Sequence, residues 1–204
     1  MKRQDFLTAP NLVSMFRLAM APLCFVFLYL EKYVNQAGVT RGYCIAAAAV
    51  FLIAALSDIV DGYLARKFGQ ITDIGKFLDP LADKVLVTTA LVLLVNLGRC
   101  PAWIALVIIL REIIITGLRG IAQTGGEIIA ASQLGKRKTV FQNIALVALL
   151  LHYNYNFAWF LGTHSKFWFV NTHRVGMIFV YIAVFYTLYS GYDYLAKFIR
   201  KTAN

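Results

Sequence analysis

Charge is scarce in this chain. Only 15% of its 204 residues are Asp, Glu, Lys or Arg, against roughly 25% in an average soluble domain. A water-exposed shell needs more polar surface than that, so a water-soluble enzyme and a disordered chain are both excluded. Cysteine is scarcer still, with three residues at positions 24, 44 and 100. An odd, scattered set is no disulfide framework and no zinc site, so the three thiols are read as packing residues. The three histidines, His152, His164 and His173, are irregularly spaced and carry no metal motif. Internal repeats, low-complexity tracts and long linkers are also missing. Arg17 interrupts the first apolar stretch, so the N-terminal segment is read as a retained span rather than a signal peptide.

What the chain has instead is apolar length. Sixty per cent of it is hydrophobic, and its mean hydropathy is +0.67. A membrane-crossing helix needs about 20 mainly apolar residues. Six stretches are predicted to cross: Leu12–Leu30, Tyr43–Ala65, Phe77–Leu97, Ala102–Ile121, Thr139–Tyr153 and Val175–Lys197. The expected fold is an all-α, integral-membrane bundle of six transmembrane helices forming a single domain over residues 1–204. The net charge of +10 then reports anionic lipid and cytoplasmic loops, not nucleic acid. Twelve Lys and Arg fall at the termini and in the second and fourth loops, five fall in the other loops, and Arg17, Lys84 and Arg111 lie within spans. The positive-inside rule therefore puts both termini in the cytoplasm. The opposite side is rich in aromatics between His152 and Phe169, as an interfacial belt would be.

Charge inside a span is expensive, at about 2.5–3.5 kcal/mol per Asp, Lys or Arg at a helix centre. Yet Asp58, Asp61, Asp79 and Asp83 gather at the end of the second span and the start of the third. Asp58 and Asp61 are i and i+3, with Ala65 on the same stripe. Gly75, Asp79 and Asp83 step by four and share one face of the third helix. The two helices are antiparallel neighbours, so the acidic faces can meet, provided Pro80 falls in a first helical turn where proline is tolerated. Four crowded carboxylates require protons or cations to neutralise them. An all-oxygen cluster favours a hard divalent ion, Mg²⁺ or Mn²⁺, and four carboxylates suffice for two ions, an arrangement suited to phosphoryl transfer. Asp58 lies about 12 Å, or eight residues, from the inner end of its span, near the depth of a lipid phosphate. The small residues Gly62, Ala65 and Gly75 either let helices pack closely or let a flat ligand approach the backbone.

The pattern Asp58-x2-Asp61-Gly62-x2-Ala65-Arg66-x8-Gly75-x3-Asp79-x3-Asp83 resembles the signature of the CDP-alcohol phosphatidyltransferase family. Eight such identities at fixed spacing would arise by chance on the order of 10⁻¹⁰ times per starting position. Arg111-Glu112, Arg119, Lys136-x-Lys138-Thr139 and the opening segment from Asn11 to Arg17 are similar to members that make phosphatidylglycerol phosphate, with Ser14 where Thr is expected. The resemblance runs from Asn11 to about Gln142; the last fifty or so residues add little to it.

The resemblance implies a homodimeric membrane transferase of the bacterial inner membrane, with its active site facing the cytoplasm. It implies CDP-diacylglycerol as donor and glycerol 3-phosphate as acceptor. Asp58, Asp61, Asp79 and Asp83 would hold two metals, and Asp83 would be the catalytic base. Gly62, Ala65, Arg66 and Gly75 would form the CDP pocket, Arg66 either pairing with the diphosphate or snorkelling to the interface. Arg111, Arg119, Lys136 and Lys138 would bind the acceptor phosphate, a pocket that a neutral alcohol would not need. Arg137 either joins them or serves as a positive-inside charge. Glu112 either orients an arginine or forms a structural ion pair. Asn11 is read either as lying near the nucleotide, together with Arg17, or as a helix cap. Three readings compete: the same chemistry on serine, inositol phosphate or phosphatidylglycerol, a cation transporter that uses the Asp cluster as its ion path, and a non-catalytic membrane scaffold that retains the motif.

Overall fold

The computed structural model describes residues 9–34, 36–68, 73–124, 133–156 and 169–202; for 9, 10, 37, 58–68, 73–80, 123, 124, 154–156, 169, 201 and 202 it describes the backbone only. These residues form six α-helices: α1 (Ala9–Tyr33), α2 (Ala37–Phe68), α3 (Asp73–Asn96), α4 (Ala102–Thr124), α5 (Gln133–Leu151) and α6 (Thr172–Thr202). Each of the six apolar stretches falls on one of them. A short antiparallel pair, β1 (Asn154–Asn156) with β2 (Phe169–Asn171), lies in the aromatic segment and was not expected. The chain divides into two compact units, Met1–Leu97 with Leu150–Tyr153 and Gly98–Leu149 with Asn154–Asn204.

Local chemistry explains several helix ends. Gly98 takes φ +68° just beyond α3, a left-handed turn that glycine adopts without a Cβ clash. The Pro101 carbonyl then accepts the first turn of α4 from the Ile104 amide at 3.1 Å. The Asn171 side chain accepts a bond from the Arg174 amide at 2.9 Å, an N-cap that starts α6. Pro80 is not in a first turn. α3 begins at Asp73, so Pro80 is its eighth residue, and α1 likewise contains Pro22. Apolar membrane helices tolerate such interior prolines better than soluble ones do.

In the first unit α1 lies along α2 and α3. Its buried residues are Asn11, Ser14, Arg17, Ala21, Cys24, Leu28 and Glu31, a stripe at spacings of three and four. Small residues line the contact, with Cys24, Cys44, Ala47, Ala54 and Ala90 fully buried. They bring the helices close enough for the Cys24 thiol to lie 3.9 Å from the Ala47 carbonyl oxygen. All three cysteines are free, and burial pushes the Cys100 thiol up to about 11, so it stays protonated and unreactive near neutral pH.

In the second unit α4 packs against α6, and Phe141 of α5 stacks on Phe179 and Tyr186 of α6. Gly176 makes the closest approach. A Cβ there would lie 2.7 Å from Leu149 Cγ and 3.0 Å from the Leu149 backbone nitrogen. Gly176→Ala is therefore expected to lower stability by about 1–3 kcal/mol through overpacking, and an unchanged unfolding midpoint would refute this contact.

The surface is inverted relative to a soluble protein. Phe16, Phe25, Leu52, Trp103, Ile113 and Phe185 are exposed while alanines are buried, as expected where lipid replaces water. Among the described residues, three helical segments are long and apolar enough to cross a membrane: Asn11–Tyr33, Gly38–Ser57 and Thr172–Arg200. The apolar runs of α3 and α4 are each interrupted by three ionisable residues, Asp79, Asp83 and Lys84, and Arg111, Glu112 and Arg119, while Lys136, Arg137 and Lys138 shorten the apolar run of α5. The helices least suited to hydrocarbon by composition are those that carry much of the suspected chemistry.

Candidate functional site

In the first unit the signature occupies the last three turns of α2 and the first three of α3. Asp58 is ten residues from the end of α2, or about 15 Å along its axis, slightly deeper than the 12 Å expected. Short connections make α2 antiparallel to α1 and α3. The Lys32 ammonium donates to Asn96 Oδ1 at 2.9 Å, so α1 and α3 run parallel, with residue 32 opposite residue 96. Arg17, fifteen residues earlier, is then level with about residue 81, within a turn of Asp83.

The polar end of the α1 stripe therefore meets the acidic end of α3. Asn11, Ser14 and Arg17 are each 1% exposed. Asn11 is the third residue of α1, inside the helix rather than at its N-cap.

Asp83 is half-buried. The side chains of Asp58, Asp61, Ala65, Arg66 and Asp79 lie outside the described residues, only the backbone of Gly62 and Gly75 is described, and among the described residues no three His, Cys, Asp or Glu converge on a metal position. The helical backbone does keep the sequence register: Asp58, Asp61 and Ala65 share one face of α2, and Gly75, Asp79 and Asp83 one face of α3. A donor set of carboxylate oxygens suits a hard divalent ion. An open groove of about 380 Å³ begins at Lys84, beside Asp83, and continues between Phe25, Val85, Thr88, Val92 and Leu93.

The second unit holds a basic cluster. Its helices turn inward stripes that mix apolar and polar residues: Ile104, Ile108, half-buried Arg111 and Ile115 on α4; Lys138, Gln142, Ala145 and Leu149 on α5; Val180, Ala183, Thr187, Ser190 and Tyr194 on α6. Glu112 joins the first two helices. Its Oε1 accepts from Arg111 Nη1 at 2.9 Å and from Lys138 Nζ at 2.5 Å, with side-chain exposures of 14% for Arg111, 21% for Glu112 and 3% for Lys138.

One carboxylate thus compensates two cations, leaving a net positive charge in a poorly hydrated place. Such charge is costly to bury unpaired, so Glu112 serves as internal counter-ion and leaves capacity for an external anion. Arg111 and Lys138 are brought together in this way. Arg119 is exposed, and its guanidinium carbon lies 5.6 Å from the centre of the Tyr194 ring. Lys136 and Arg137 are exposed, and among the described residues no bond ties them to the cluster.

A family model for CDP-alcohol phosphatidyltransferase matches residues 7–192. The chain belongs to this family. Among its CDP-alcohol phosphatidyltransferase relatives, a Bacillus subtilis protein named CDP-diacylglycerol–glycerol-3-phosphate 3-phosphatidyltransferase is 41% identical over 92% of this chain and 93% of its own length. A Haemophilus influenzae protein of the same name is 37% identical over 91% of this chain and 90% of its own. A Mycobacterium tuberculosis protein named probable phosphatidylglycerophosphate synthase is 32% identical over 93% and 81%.

The family match continues into α6 as far as residue 192, in a helix where the sequence offered no recognisable motif. Thr187, Ser190 and Tyr194 were overlooked there. Their spacing of three and four in an otherwise apolar helix was the available signal, since polar residues on one stripe of such a helix mark its protein-facing side.

Proposed function

We propose that this chain transfers the phosphatidyl group of CDP-diacylglycerol to glycerol 3-phosphate, giving phosphatidylglycerol phosphate and CMP in phospholipid synthesis. Chain-long similarity to proteins named for this reaction supports it. One structural observation carries the acceptor assignment: Arg111 and buried Lys138 share a single carboxylate, Glu112, leaving a charge deficit that a phosphate monoester can fill.

Asp58, Asp61, Asp79 and Asp83 would hold two Mg²⁺ or Mn²⁺ ions. Bound there, the metals would neutralise the diphosphate and acidify the attacking hydroxyl. Asp83 takes the proton from a hydroxyl of glycerol 3-phosphate as its oxygen attacks the lipid-side phosphorus. The bond from that phosphorus to the bridging diphosphate oxygen breaks, and CMP departs with that oxygen. Arg66, with Gly62, Ala65, Gly75 and Asn11, holds the CDP moiety. Arg111, Arg119, Lys136 and Lys138 hold the acceptor phosphate. The mainly apolar lining of the groove between α1 and α3, which begins at Lys84, is compatible with an acyl chain of the donor.

The protein is a six-span, single-domain enzyme of a bacterial inner membrane, with cytoplasmic termini and active site. The positive-inside distribution supports that orientation, and the family match across both units supports one functional domain. The family resemblance supports a homodimer. Purified protein with Mg²⁺ or Mn²⁺ is expected to release CMP from CDP-diacylglycerol when glycerol 3-phosphate is added. CMP release with serine or inositol phosphate, and none with glycerol 3-phosphate, would overturn the acceptor assignment.

A further inference from the structure

The α6 helix touches both arginines of the basic cluster. Ser190 is 1% exposed. Its hydroxyl accepts a bond from Arg111 Nη2 at 2.9 Å and donates to the Thr187 carbonyl at 3.3 Å, so both its proton and a lone pair are committed. A Cβ on Gly191 would stand 3.5 Å from Arg111 Cγ, so the arginine stem lies against the α6 backbone. Tyr194, one turn beyond Ser190, is 4% exposed, and its ring sits beside Arg119 within cation–π range. Its hydroxyl is buried without a hydrogen-bond partner, as is Arg111 Nε.

Buried polar groups are nearly always satisfied, and an unsatisfied one calls for a partner that is not part of the chain. Both atoms are donors set among cations, so the missing partner is an anion with several acceptor oxygens. Gln142 Oε1 is also buried and unpartnered, but it is an acceptor and cannot serve a phosphate.

We propose that α6 completes the acceptor-phosphate site: the Tyr194 hydroxyl donates directly to the phosphate of the acceptor beside Arg119, and Ser190 is a positioning residue that fixes the Arg111 guanidinium. This rests on the proposed transfer to glycerol 3-phosphate. The test uses the full-length purified protein and measures kcat and KM for each substrate, with the unfolding midpoint as a control. Tyr194→Phe removes one oxygen and keeps the ring. A hydrogen bond to a charged group supports about a tenfold or greater change in affinity, so KM for glycerol 3-phosphate should rise by about that factor while KM for CDP-diacylglycerol stays within about twofold. Ser190→Ala should raise the same KM, and Ser190→Thr should restore it. An unchanged KM for glycerol 3-phosphate in Tyr194→Phe, or an equal rise in both KM values, overturns the inference. Failure of the unmodified protein to use glycerol 3-phosphate at all would instead overturn the function on which it rests.

Discussion

Asp83→Asn is expected to slow CMP release by about 10²–10⁴-fold, the usual range for loss of a general base, while CDP-diacylglycerol still binds. The amide has the shape of the carboxylate and retains one oxygen, but it cannot accept the hydroxyl proton. Asp83 is suited to the role because it is the innermost aspartate on α3, half-buried and level with the buried polar end of α1. Rate and donor binding measured on the same preparation separate chemistry from binding. Near-normal turnover would remove Asp83 as the base.

Glu112→Ala is expected to destabilise the protein by about 3–5 kcal/mol, because it leaves Lys138, 3% exposed, as an uncompensated buried charge beside Arg111. The double substitution Glu112→Ala with Lys138→Met should recover much of that loss, since the orphaned charge goes with its partner. It should not recover acceptor binding, because the cation proposed to hold the phosphate is gone. Unfolding midpoints of the two single variants and the double variant form the necessary cycle. Equal stability of Glu112→Ala and the parent protein would show that the bridge is not a structural counter-ion. This result bears on both roles open for Glu112 in the sequence, because the bond to Arg111 orients that arginine and the bond to Lys138 compensates a buried charge.

The helices were legible in the sequence because apolar length and loop charge report them directly. Their ends were less so. α5 starts six residues before the predicted Thr139 because its first turns carry Lys136, Arg137 and Lys138, which hydropathy reads as loop. The same effect placed Pro80 near a helix start, although α3 begins seven residues earlier. The Asp58–Asp83 signature was legible because its residues lie within 26 positions on two consecutive helices, where spacing alone determines which residues share a face.

By itself, then, the sequence determined the membrane class, the acidic signature on α2 and α3, and the family to which the chain belongs. The tertiary structure decided how the cations are held: Glu112 between Arg111 and Lys138, Ser190 on Arg111, and Tyr194 beside Arg119. The reason is physical. Periodicity along one helix reports which residues share a face, but not which distant helix covers that face, and Arg111 and Ser190 are 79 positions apart. Only the packing of α4 against α6 makes them neighbours.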